Sequence, residues 1–127
     1  MVIMEFSHSL KNNRDFKRLY HRGKSCADKF LVLYCLKSRD KDAVRLGITV
    51  SGKLGNAVKR NRIRRRIKEA FRINEPFFLP GFDIVVVARS RAADAKFNEL
   101  CSSLLSLASR QGIIRVSSDK SSPVRDA

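Results

Sequence analysis

Apolar positions along the chain change period several times, and each change marks an element. In "NNRDFKRLYH" (12–21), Phe16, Leu19 and Tyr20 recur at i, i+3 and i+4 behind an Asn cap at position 12 or 13. That spacing predicts a short helix ended by Gly23. "FLVLYCL" (30–36) is continuously apolar and predicts a buried strand, with Phe30, Val32, Tyr34 and Leu36 on one face and Leu31, Leu33 and Cys35 on the other. A polar turn (37–43) leads to "VRLGITVS" (44–51), a second strand expected to pair with the first as a hairpin, with Leu46, Ile48 and Val50 sharing a face. "GKLGN" (52–56) is a glycine-rich loop closed by Asn56, a good cap for the helix that follows. Within that helix Ile63, Ile67, Ala70 and Phe71 form a stripe, and Pro76 and Pro80 end it. "FDIVVVA" (82–88) is the strongest strand signal. Residues 93–109 predict an amphipathic helix with Phe97, Leu100, Cys101, Leu104, Leu105 and Ala108 inward and Gly112 as its stop.

The order is therefore α-β-β-α-β-α, with room for a further short strand near 25–27. Three or four strands cannot close a barrel, so an open α/β sandwich of the α+β class is expected. The chain length, 127 residues, suits one domain, here 1–112, followed by a Ser-rich tail (113–127) expected to be disordered.

Charge changes this picture. The net charge is +15, and residues 53–72 alone carry +8. "GNAVKRNRIRRRIKEAFR" (55–72) holds six Arg and two Lys against one acid, Glu69. Like charges at i, i+4 repel and weaken a helix, so such density implies a polyanionic partner. The apolar stripe anchors one narrow seam. Arg60 and Arg64 flank it on one side and Arg62 and Arg66 on the other, while Asn61, Arg65, Lys68 and Arg72 point away. A membrane-surface helix needs large apolar residues opposite its charges, and here those few positions are claimed by the core. A nucleic acid fits better. No upstream helix makes a helix-turn-helix, which favours RNA. Phe16, Tyr20 and Tyr34 offer surfaces on which unpaired bases stack, although each also reads as a core residue.

Other chemistry is sparse. Of the acids, only Asp40 and Asp42 lie close together, in a polar turn. His8, in a terminus expected to be mobile, and His21 are isolated. Neither a metal-nuclease cluster nor an acid–base pair is present, so no protein-borne active site or metal site is expected. Cys26, Cys35 and Cys101 have no ligand spacing, and Cys35 and Cys101 read as small core residues of a reduced protein. No apolar run approaches a membrane span and no secretory signal is evident, so a cytoplasmic protein is expected.

"RLGITVSGKLGNAVKRNRIRRRIKEAFR" (45–72), with Arg60-Asn61-Arg62 at its centre, resembles the signature of the bacterial ribonuclease P protein component. The resemblance extends to "DFKRLYHRGKS" (15–25), "FLVLYCL" and "FDIVVVARS". It implies an α/β sandwich with a left-handed β-α-β crossover, a fold shared with a domain of a ribosomal protein. It also implies an accessory subunit of a ribonucleoprotein that removes 5′ leaders from precursor tRNA, with a catalytic RNA partner and Mg²⁺ held chiefly by that RNA. By matching position, Lys53, Asn56, Lys59, Arg60, Asn61, Arg62, Arg64, Arg65 and Lys68 would contact the catalytic RNA. Phe16, Tyr20 and Tyr34 would hold the leader, with Lys17, Arg18, Lys24 and Arg45 as weaker contacts. The alternative is a non-enzymatic RNA-binding protein, ribosomal or chaperone-like.

Overall fold

The computed structural model describes residues 7–10 and 12–115. Its elements are β1 (Ser7–Ser9), α1 (Asn13–Arg22), β2 (Lys24–Ala27), β3 (Leu31–Lys37), β4 (Val44–Thr49), α2 (Ala57–Asn74), β5 (Phe82–Ala88) and α3 (Phe97–Gln111). The strands form one sheet in the order β1-β4-β5-β3-β2. Strands β1, β4 and β5 run parallel, whereas β3 is antiparallel to β5 and β2 is antiparallel to β3.

The hairpin expected between residues 30–36 and 44–51 does not form, because β5 lies between β3 and β4. The reason lies in β5 itself. Its Ile84, Val86 and Ala88 join the main core under α2 and α3, while Val85 lies on the other face beneath α1 with Leu10 and Leu19. A strand apolar on both faces gains most at the centre, where helices cover both sides. Helix α2 is then the crossover between the parallel strands β4 and β5. Within β3 the two faces hold: Leu31, Leu33 and Cys35 enter the main core, and Val32, Tyr34 and Leu36 are half-buried on the other side. Phe30, read onto that second face, precedes the strand and packs against the main core instead. Burial pushes the Cys35 thiol up to about 12, so it behaves as an apolar side chain.

Two edge strands complete the sheet. The possible strand near 25–27 is β2, whose Lys24 and Ala27 carbonyls accept hydrogen bonds from the Gln111 and Arg110 side chains of α3. These contacts cap an otherwise open edge. The second, β1, is a correction: His8 lies in a strand paired with β4, not in a mobile terminus.

In α2, Ile63, Ile67, Ala70 and Phe71 are all buried as the stripe required, and the Phe71 ring meets Phe78 at 4.8 Å. Helix α3 starts at Phe97, later than expected, because Ser90–Asp94 forms a separate 3₁₀ turn. Its inward set gains Leu107, while Phe97, Cys101 and Leu105 are only half-buried. Gly112 stops it in the left-handed region, at φ 73°. The chain stays packed beyond that point. Ile113 is buried and Ile114 bridges to Phe78, so residues 113–115 belong to the domain and not to a tail. The rest of the expected tail, 116–127, lies outside the described residues.

Candidate nucleic-acid interface

The basic segment is built from its caps outward. Ser51 Oγ accepts from Lys53 N at 3.2 Å and starts a 3₁₀ turn (Gly52–Leu54). Asn56 Oδ1 accepts from Lys59 N at 2.9 Å and starts α2. Each cap satisfies a backbone donor that the helix cannot. Along α2 the cations divide into two groups. Arg60 Nε donates to Gly55 O at 3.2 Å, tying the helix to its loop, and Arg66 Nη2 donates to Ala95 O. Arg64 Nη1 donates to Asn61 Oδ1 at 2.7 Å, and Arg72 pairs with Glu69, its side chain no longer simply pointing away. That half-exposed pair holds the Glu69 carboxyl below its ordinary range and raises Arg72. The side chains of Lys53, Lys59, Arg62, Arg65 and Lys68 make no hydrogen bond or ion pair among the described residues, and all five are exposed. Helix α2 thus fixes itself with some charges, while the others, with Lys53 of the preceding turn, stay exposed without such a partner among the described residues.

Of the aromatic residues, Phe16 and Tyr20 sit on α1 and Tyr34 on β3. Helix α1 starts where Asn12 Oδ1 accepts from Arg14 N, which settles the cap at Asn12, and packs over β3 and β5 with its side chains reaching one face of β4. The residues of β4 on that face are Arg45, Gly47 and Thr49. They meet α1 in the same order: Arg45 beside Asp15 and Arg18, Gly47 beneath Phe16, and Thr49 bonded to Tyr20. The match is geometric, since two strand residues advance about 6.8 Å and one helical turn of four residues about 6 Å. Tyr20 Oη and Thr49 Oγ1 are 2.7 Å apart. The Tyr20 ring stands edge-on to Tyr34 at 4.9 Å, and Phe16 lies 6.4 Å from Tyr20. The three aromatics predicted from sequence are therefore adjacent. Tyr20 is 41% exposed, while Phe16 and Tyr34 are half-buried.

Arg45 has a different position from the one expected of a free cation. Asp83 is fully buried and accepts from Arg45 Nε at 2.8 Å, Arg45 Nη2 at 2.6 Å and Arg18 Nη2 at 2.8 Å. Asp15 Oδ2 accepts from Arg45 Nη1 at 3.3 Å. The hydrogen bond to Asp83 raises Arg45 above even its ordinary range. Arg45 and Arg18 therefore pin α1 to the sheet. Lys17 is exposed on α1 and Lys24 on β2.

Sequence periodicity assigned Lys68 to the far side of α2. It instead lines a cavity of about 190 Å³ with Leu10, Phe16, Leu46, Gly47, Ile48 and Arg64. Lys68 follows Arg64 by one turn, and its flexible stem reaches over the seam. This cavity joins the leader candidate Phe16 to the RNA candidates Arg64 and Lys68. Gly47 and Thr49 are site residues that periodicity missed; the signal was the alternation of 45, 47 and 49 onto one strand face.

Residues 4–112 match the family model described as Ribonuclease P. A ribonuclease P protein component of Clostridioides difficile (strain 630) is 45% identical over 113 residues, covering 87% of this chain and 98% of that protein. One from Staphylococcus epidermidis (strain ATCC 12228 / FDA PCI 1200) is 46% identical over 101 residues, covering 80% and 87%. Among solved structures, the Staphylococcus aureus RNase P protein superposes with a TM-score of 0.75 at 37% identity, over 85% of this chain and 98% of that one. The Thermotoga maritima RNase P protein gives 0.72 at 34% identity, over 81% and 96%. Sequence and fold agree over nearly the whole domain, and this chain belongs to the bacterial ribonuclease P protein family.

Proposed function

We propose that this subunit supports removal of 5′ leaders from precursor tRNA by a catalytic RNA. The observation that carries the reading is a cavity that joins two unlike surfaces: Arg64 and Lys68 of the cationic helix α2 line it together with Phe16, whose ring adjoins Tyr20, itself edge-on to Tyr34. The cations suit the phosphates of a folded RNA, because Arg and Lys neutralise backbone charge without reading sequence. The aromatics suit a single strand, whose unstacked bases have free faces. In this reading Lys53, Asn56, Lys59, Arg60, Asn61, Arg62, Arg64, Arg65 and Lys68 serve the catalytic RNA. Phe16, Tyr20 and Tyr34 serve the leader, with Lys17 beside them and Arg45 holding α1 in place. The ribosomal and chaperone alternatives gain nothing from the family match.

The protein's part is positioning and screening. Two polyanions repel, and cations laid between them lower that cost. Mg²⁺ is assigned to the RNA, because the carboxylates at this surface do not fit a cation site. Asp15 and Asp83 are taken by Arg18 and Arg45, and Glu69 by Arg72. A cytoplasmic location is part of the proposal; no helix among the described residues is long and apolar enough to cross a membrane.

The direct test is leader cleavage with protein alone, RNA alone and both together at low Mg²⁺. Cleavage is expected from the reconstituted pair and not from the protein alone; cleavage by protein without RNA overturns the reading. A finer test separates the two roles of Asn56. Asp is as good a helix cap as Asn, so Asn56→Asp should leave the unfolding midpoint in place. The added negative charge should nevertheless weaken catalytic-RNA binding several-fold at low salt. A titration showing full RNA affinity would remove Asn56 from the interface.

A further inference from the structure

Gly47 lies mid-strand in β4, outside the left-handed region of φ, so its backbone conformation is open to any residue. What it supplies is space. A Cβ at this position would fall 2.6 Å from Phe16 Cζ, 2.7 Å from Phe16 Cε1 and 3.3 Å from Leu10 Cβ. Carbon atoms settle near 3.5–4 Å, so the ring would have to retreat by about 1 Å. Helix α1, which carries it, is held to the sheet by Arg18 on Asp83, by Asp15 on Arg45 and by Tyr20 on Thr49, so the shift falls on the ring's own side-chain torsions and turns it off the strand. The tip of Phe16 therefore rests on bare backbone, and the same ring walls the cavity of about 190 Å³ shared with Arg64 and Lys68.

We propose that Gly47 is a positioning residue for leader binding: its missing side chain sets the depth of Phe16, so that Phe16, Arg64 and Lys68 open onto one slot for a single leader nucleotide. The base lies against Phe16, and its phosphate meets Arg64 and Lys68, which at this slot serve the leader as well as the catalytic RNA. The proposal rests on the leader role of Phe16. It deepens that role by making the height of the ring, and not its presence alone, the determinant of binding.

The test is a double-mutant cycle in the holoenzyme reconstituted with its cognate RNA, comparing affinity for precursor and mature tRNA. Gly47→Ala should weaken precursor binding by roughly tenfold, the scale of one lost base–aromatic stack, and leave mature tRNA binding unchanged. In a Phe16→Ala background the added methyl has nothing to displace, so Gly47→Ala should change precursor affinity by less than about twofold. Full precursor affinity in Gly47→Ala, or an equal loss in both backgrounds, overturns the proposal while leaving the role of Phe16 intact. Phe16→Ala with undiminished precursor affinity instead removes the leader reading itself. If Gly47→Ala alone does not fold, the cycle runs in a Phe16→Leu background, whose shorter side chain clears the methyl. A neutral Gly47→Ala there supports the proposal and a tenfold loss overturns it.

Discussion

Replacing Lys53, Lys59, Arg62 and Arg65 together by Ala should lower the log–log salt slope of catalytic-RNA binding by about three units, since each neutralised phosphate contributes about 0.7 to 0.9. At about 0.15 M salt that corresponds to an affinity loss on the order of a hundredfold to a thousandfold. These four side chains are chosen because none has a hydrogen bond or ion pair among the described residues, so their removal breaks no internal polar contact. Stability should move the other way. Lys59, Arg62 and Arg65 are like charges one turn apart on α2, and Ala is the best helix former, so the unfolding midpoint should hold or rise slightly. Filter binding across a salt series, with thermal unfolding of the same preparations, reads both effects. An unchanged slope would mean that the row is a solvated surface and that RNA docks elsewhere.

The second large effect concerns Asp83. Asp83→Ala should destabilise the fold by about 3 kcal/mol, the lower end for a buried ion pair broken from one side, because Arg18 and Arg45 keep some solvent contact. The carboxylate is fully buried and faces two guanidiniums, whose charges would be left against the sheet with only Asp15 nearby. Arg18 Nε is already buried without a hydrogen-bond partner, so the cluster has no slack on that side. Asp83→Asn keeps the shape but not the charge, and its amide presents donors to donors; it should also destabilise, by somewhat less. Urea unfolding measures both variants. Because α1 is pinned here, precursor binding should fall along with stability. A loss below about 1 kcal/mol for Asp83→Ala would show that solvent supports the arginines without it.

The contrast between α2 and β4 shows which features local pattern carries. Ile63, Ile67, Ala70 and Phe71 were readable because a helix seam repeats within one element, and each of the four is buried. The strength of "FDIVVVA" was equally plain, but its central place was not. Sequence neighbours favour a hairpin, whereas covering both faces of β5 is a property of the whole sheet. Asp83 illustrates the same limit. It reads as a polar residue near a strand end, and its partners lie 38 and 65 residues away. Strand β1 has three residues, Ser-His-Ser, with no apolar period to betray it. The Phe16, Tyr20 and Tyr34 cluster was legible as a set of candidates, and the α1-on-β4 register that assembles it required tertiary structure.

The position of β5 also governs the order of assembly during synthesis. It is the last strand to be made and the one to which β3 and β4 are both joined. Until residue 88 has emerged, the two halves of the sheet have no common neighbour, and closing them spans most of the domain. The cationic helix, at 57–74, leaves the ribosome before that closure can occur. A nascent chain therefore carries its full positive charge into an RNA-rich surrounding while its own framework is still open.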